Sequence, residues 1–91
     1  MPRFVIERDL PAIGKSTSQE LKAISQRSVD VLNSLGPTIQ WIHSYVVDDK
    51  IYCVYNAPSA ELVLEHARCG GFPANKVSQV RAIIDPISAE G

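Results

Sequence analysis

The sequence predicts a single α+β domain in which strands and helices follow the order β-α-β-β-α-β. Residues 38–56 show a hairpin pattern, because β-branched and aromatic side chains stand on both sides of a two-residue polar turn. A segment with apolar residues at helical spacing stands on each side of this hairpin. One more β-rich segment lies near each end of the chain, so we expect a sheet of four strands.

The first strand is predicted over residues 3–8, which are rich in β-forming side chains. Pro11 marks its end, because proline cannot continue a ladder of hydrogen bonds. The first helix begins near Thr17, which fits a capping box with Glu20. Apolar residues then recur at roughly helical spacing until the glycine-proline pair at 36–37 ends the helix.

The hairpin consists of a second strand over residues 38–47 and a third over residues 50–56. Asp48 and Asp49 form the turn between them. A second helix follows, with Ser59 as its N-cap and a Gly-Gly pair at its end.

The fourth strand is predicted over residues 77–85, and residues 86–91 are predicted to form a loose tail of the single domain 1–91. Alternation directs three side chains of this strand toward the core: Val80, Ala82 and Ile84. Three others then face outward: Gln79, Arg81 and Ile83.

Composition excludes several classes of protein. The chain has 91 residues, a net charge of −1 and no long apolar run, which argues against nucleic-acid binding and membrane spanning. The N-terminus leads directly into a strand pattern, so we expect no signal peptide and a cytoplasmic location. Two cysteines are too few for a disulfide framework. Because so short a chain leaves an open sheet face exposed, we expect a homodimer.

Counting from the turn predicts the pairing of the hairpin and the face on which each side chain lies. The predicted pairs are Tyr45–Tyr52, His43–Val54 and Trp41–Asn56. The more apolar set is assigned to the helices: Ile42, Ser44, Val46, Ile51, Cys53 and Tyr55. The opposite face gathers polar and aromatic groups: Glu7, Trp41, His43, Tyr45, Tyr52, Asn56 and Arg81. Such a face suits a partly wet cavity between two stacked sheets, which a second subunit would enclose.

Five segments resemble a known family. They are FVIERD at 4–9, WIHSYV at 41–46, IYCVY at 51–55, EHAR at 65–68 and GFPANKV at 71–77. Together they resemble the small nickel-binding, ferredoxin-like proteins over nearly the whole chain, to about residue 85. The resemblance implies a ferredoxin-like fold with a four-stranded antiparallel sheet, two helices on one face and a dimeric α/β barrel. It also implies nickel binding, but supplies no ligand list.

His43 is the strongest candidate ligand, because neutral imidazole suits nickel, copper and zinc. Glu7 lies on the same predicted face and offers an oxygen. His66 completes the site if the second helix meets the sheet edge; alternatively, it is a helix histidine bonded to a backbone carbonyl. His43 has an alternative as well, as an interface histidine bonded to a tyrosine. The sequence has no HExxH motif and no paired Cys and His spacing, so we expect no structural zinc site.

Tyr45 and Tyr52 are predicted as a cross-strand pair that stabilises the sheet or orients a ligand or a metal-bound water. Arg81 is a further candidate for ligand binding. Cys53 is assigned to the core as an inert thiol, and Cys69 to a helix end. The charged run 7–9 is interpreted as a strand end rather than an acid–base pair.

Three hypotheses for function follow. The first is a metal-binding module without turnover, in which nickel or another divalent metal lies in or near the cavity of the dimer, for sequestration or response. The second is a small oxygenase or isomerase that binds an aromatic or polyketide-like molecule, with His43 as general base and Arg81 or Tyr45 as orienting group. The third is an interaction domain with a histidine-lined interface.

Overall fold

The computed structural model describes residues 1–90, and its strands and helices follow the predicted order. Its main elements are β1 (Arg3–Asp9), α1 (Ser18–Leu35), β2 (Gln40–Val46), β3 (Lys50–Asn56), α2 (Ala60–Gly70) and β4 (Lys76–Gln79). Two short 3-10 helices add Ile13–Lys15 and Pro86–Glu90. The sheet has the order β2-β3-β1-β4, and all neighbouring strands are antiparallel. This confirms the ferredoxin-like α+β fold.

Both helices begin where the sequence predicts a cap. The Thr17 side chain accepts a hydrogen bond from the Glu20 backbone N–H at 3.1 Å, and the Glu20 carboxylate accepts one from the Thr17 N–H at 3.0 Å. These bonds to Thr17 lower the pKa of Glu20. Ser59 caps α2 by accepting from the Leu62 N–H. Each cap satisfies backbone donors that the first turn of a helix leaves without partners.

The core lies between the sheet and the two helices. Alternate residues of β1 and β3 are buried, including Phe4, Ile6, Ile51 and Tyr55, and Val63 of α2 packs against them. The intervening residues of both strands stay partly exposed on the other side. The side of the sheet without helices is called the open face from here on. Neither helix within residues 1–90 combines the length and apolar character needed to cross a bilayer.

A β-bulge in β2 changes the predicted position of Trp41. The pairs Tyr45–Tyr52 and His43–Val54 form as predicted, but Trp41 lies opposite Tyr55 rather than Asn56. The extra residue stands between Trp41 and His43, and one inserted residue moves every earlier side chain of the strand to the other face. Trp41 therefore packs against the core, contrary to the prediction.

Strand β4 is shorter than predicted, because its partner strand ends. The Val80 N–H still donates to the Arg3 carbonyl at 2.8 Å, but β1 begins at Arg3, and the carbonyl of Pro2 faces the opposite side, where it accepts from the Ala57 N–H. The chain beyond residue 80 leaves the sheet and is exposed. Residues 86–90 of the predicted tail form the exposed 3-10 helix, and Gly91 lies outside the described residues.

The predicted faces of β4 are also wrong. Val77 lies opposite Ile6 and packs against the core, and Gln79 lies opposite Phe4 on the same side. Ile84, predicted to face the core, is 83% exposed. The predicted phase rested on residues 80, 82 and 84, which all lie outside the observed strand.

The end of α2 depends on two glycines with different roles. Gly71 has a φ of 67°, a left-handed conformation that ends the helix at no steric cost to glycine. Gly70 is buried, and a Cβ on it would overlap the ring of Phe72. That ring packs in turn on His66 and Arg27, so it has little room to move.

We expect Gly70→Ala to lower the free energy of unfolding by about 1–3 kcal/mol, because the ring of Phe72 must leave its position. Urea denaturation measures this change. Cys69→Ala is the matched control, since Cys69 is the exposed neighbour on the same helix turn. Equal stability of the two variants would contradict the steric role of Gly70.

Candidate functional site

The open face presents two neighbouring rows of side chains across the sheet. Glu7, Tyr52 and Tyr45 lie in one row, because β1 pairs Glu7 with Tyr52 and β2 pairs Tyr45 with Tyr52. Val5 and His43 flank Val54 of β3 in the next row. The structure therefore brings four of the predicted site residues to one face: Glu7, His43, Tyr45 and Tyr52.

His43 is an exposed side chain on the edge strand β2. Its ring makes an edge-to-face contact with Tyr45, with 4.9 Å between ring centroids and 70° between ring planes. This contact restrains the imidazole through its ring atoms and directs it along the open face. An exposed, oriented imidazole is a suitable nitrogen donor for nickel, copper or zinc.

Glu7 lies farther inside the sheet, on β1. Its carboxylate is 3.8 Å from the ammonium group of Lys50, which also lies 3.5 Å from the carboxylate of Asp9. Glu7 and His43 are two strands and one row apart, so about 12 Å separates their Cα atoms. Within residues 1–90, no three His, Cys, Asp or Glu side chains come close enough to share a metal ion.

His66 lies on the other side of the sheet from His43. It is completely buried between α2, α1 and the core, where its Nε2 lies 3.4 Å from the Ser28 hydroxyl and 3.5 Å from the Ser28 carbonyl oxygen. Its ring packs on Tyr55 and Phe72. His66 therefore cannot reach a metal ion held by His43, and its contacts correspond to the alternative of a buried helix histidine.

Burial lowers the pKa of His66, because a charged imidazolium would lose its hydration in the core. The hydrogen bond with the Ser28 backbone opposes this shift, and the positive charge of Arg8 adds to it. Burial raises the pKa of the neighbouring Tyr55, because a charged phenolate would also lose its hydration in the core. Both groups are thereby favoured in their neutral forms.

Arg81 lies outside the sheet, because β4 ends two residues before it, and its side chain is exposed. It is thus separated from the two rows of the open face. Cys53 is a buried free thiol on the helix side, and Cys69 is an exposed free thiol at the end of α2. These positions agree with the sequence interpretation of both cysteines.

The sequence interpretation missed Arg8. Its side chain is only 3% exposed and lies among the core residues on the helix side of β1. Its Nη1 donates to the Pro73 carbonyl oxygen at 2.6 Å, and its Nε to the Cys53 sulfur at 3.4 Å. The signal was available, since alternation from Phe4 and Ile6 places residue 8 on the same side.

Comparison with known proteins agrees with the resemblance seen in the sequence. The sequence profile of a family described as "Nickel responsive protein SCO4226-like" matches residues 4–80. Among solved structures, the crystal structure of SCO4226 from Streptomyces coelicolor A3(2) matches with a TM-score of 0.76. The match covers 90% of this chain and 99% of that chain at 21% identity, which shows a shared fold. No curated protein sequence matches this one.

We expect the free energy of unfolding to fall as the pH drops through about 6.5, the usual pKa of histidine in an unfolded chain. The folded-state pKa of His66 lies below that value, so below pH 6.5 the unfolded state binds the extra proton. Urea denaturation between pH 8 and 5.5 measures the effect. His66→Gln should flatten this dependence, whereas His43→Gln, at an exposed site, should keep it. An unchanged slope in His66→Gln would contradict the assignment.

Proposed function

The chain belongs to the SCO4226-like family of nickel responsive proteins, and from this premise we propose that it binds nickel on the open face of a homodimer. Its role is sequestration of the metal or response to it, without turnover. The observation that carries the proposal is the exposed imidazole of His43, which β2 presents on the face of the sheet that no helix covers.

His43 is the anchoring ligand in this proposal. Imidazole nitrogen is a donor that nickel accepts, and the ring is exposed and oriented by Tyr45. Tyr45 and Tyr52 lie opposite each other in the neighbouring row. In this proposal their hydroxyl groups hydrogen-bond a metal-bound water. Because the protein supplies few ligands, water molecules complete the octahedral coordination of the nickel ion.

A second copy of the chain supplies the donors that one chain does not bring together. About 12 Å separates Glu7 from His43 within one chain, a distance that two metal–ligand bonds do not bridge from these side-chain positions. In the proposed dimer, the partner subunit's Glu7 is the second ligand of the metal bound to His43. The carboxylate then leaves Lys50, whose ion pair with it is partly exposed and weak.

The apolar groups of the open face support stacking against a second copy. Tyr45 is 59% exposed, and Val5 and Val54 are partly exposed in the middle of the sheet. Together these residues form an apolar part of the open face that a lone 91-residue chain leaves in water.

We expect His43→Ala to weaken nickel binding by about tenfold or more, because it removes the anchoring nitrogen. Isothermal titration of Ni²⁺ into wild type and variant measures the change. Ser78→Ala is the matched control, since Ser78 is an exposed residue opposite Val5 in the same row of the open face and carries no preferred nickel donor. Glu7→Gln should weaken binding by a smaller factor. Equal affinity of His43→Ala and wild type would overturn the proposal.

We expect Val54→Arg to convert the homodimer into monomers, because it places a charge at the centre of the stacked faces. Light scattering coupled to size-exclusion chromatography should give twice the chain mass of 10.0 kDa for wild type and one chain mass for the variant. Val29→Arg, an exposed valine of α1, should remain dimeric. A monomeric wild type would exclude a site shared between two copies.

A further inference from the structure

A second potential site lies on the helix side of the sheet, away from His43. A cavity of about 150 Å³ lies between α1 and the strands β1, β2 and β3. Most of its wall is apolar, with Leu21 and Ile24 from α1, Trp41 and Val46 from β2, and Phe72 after α2. Val46 and the α1 residues keep some exposure, so the cavity opens between α1 and the edge strand β2.

Arg8 forms the charged part of this wall. Its Nη2 atom is buried and has no hydrogen-bond acceptor within residues 1–90, and no ion pair found in that range includes Arg8. Its two acceptors are the neutral carbonyl of Pro73 and the sulfur of Cys53, which is a weak acceptor. A buried guanidinium without a counter-charge is costly, so the cavity favours an anion beside it.

The aromatic wall of the cavity contacts the charged group as well. The guanidinium of Arg8 lies 5.4 Å from the centre of the Phe72 ring. Ser25 and Ser28 contribute hydroxyl groups to the wall. The positive charge of Arg8 is thus combined with apolar walls, which favours an organic anion over a mineral one.

We propose that this cavity binds a small organic monocarboxylate, with its carboxylate on Arg8 and its apolar body between α1 and Trp41. The guanidinium fork matches the planar geometry of a carboxylate, and Nη2 supplies the donor that the protein leaves free. A cavity of this volume accommodates a body about the size of benzene. Ligands of about six to eight carbon atoms therefore fit.

The site is independent of the proposed nickel site. Arg8, Cys53 and Tyr55 lie on the helix side of the sheet, whereas Glu7, Tyr52 and His43 lie on the open face. A failure of nickel binding would leave the carboxylate proposal intact, and the reverse also holds.

Trp41 provides the readout, because it is the single tryptophan of the chain and lines the cavity. We expect hexanoate, at up to about 10 mM, to produce a saturable change in its fluorescence. Hexanamide, the neutral analogue, and acetate, which lacks the apolar body, should each bind about tenfold more weakly or worse. Equal affinities for hexanoate and hexanamide, or no saturable change with hexanoate, would overturn the proposal.

Two variants test the assigned residues. Arg8→Met should reduce hexanoate affinity to the level of hexanamide, whereas Arg68→Met, at an exposed arginine of α2, should bind like wild type. Ser25→Phe should fill the cavity and abolish binding of both compounds. Unchanged hexanoate affinity in either Arg8→Met or Ser25→Phe would contradict the proposal. If Arg8→Met does not fold, the selectivity of wild type and the result for Ser25→Phe still decide the question.

Discussion

The alternation of side chains along β1 and β3 is the constraint on which the rest of the molecule depends. These two strands form the centre of the sheet and send one set of side chains to the helices and the other to the open face. Cys53 and Tyr55 thereby join a buried layer, while Tyr52 and Val54 join a half-exposed one. A shift of one residue in this pairing would exchange the two layers and bury the charge of Glu7. Each candidate site of the protein therefore lies on one face of the same two strands: the proposed nickel site on the open face, and the cavity on the helix side.

The buried layer on the helix side contains more polar groups than its sequence suggested. His66, Phe72 and Arg8 form a chain of contacts in which the two nitrogen-bearing groups approach the same aromatic ring. His66 is favoured as a neutral imidazole by burial, and the positive charge of Arg8 acts in the same direction. Because Gly70 has no side chain, the ring of Phe72 can enter this layer. The Gly-Gly-Phe-Pro segment therefore positions the aromatic wall of the cavity as well as ending α2.

The sequence predicted features that depend on neighbouring residues and missed those that depend on a distant strand. The capping box at Thr17 and the pair Tyr45–Tyr52 formed as predicted, because each rests on a local spacing. The bulge that moved Trp41 has no local signal in the sequence. Trp41 and Ile42 are both apolar, so alternation alone does not show which of the two faces the core. The early end of β4 depends on the start of β1 at Arg3, which is distant in the sequence. Arg8 was assigned by its charge rather than by its position, and this hid the cavity.

A metal shared between two copies would give the protein a response without catalysis. On the proposed arrangement, His43 and the partner subunit's Glu7 meet only when two open faces stack, so nickel binds the dimer far better than the monomer. By thermodynamic linkage, the metal must then strengthen dimerisation by the same factor by which dimerisation strengthens metal binding. The exposed surface around Tyr45 becomes buried in the same step. On this proposal, the amount of covered apolar surface would therefore follow the concentration of nickel.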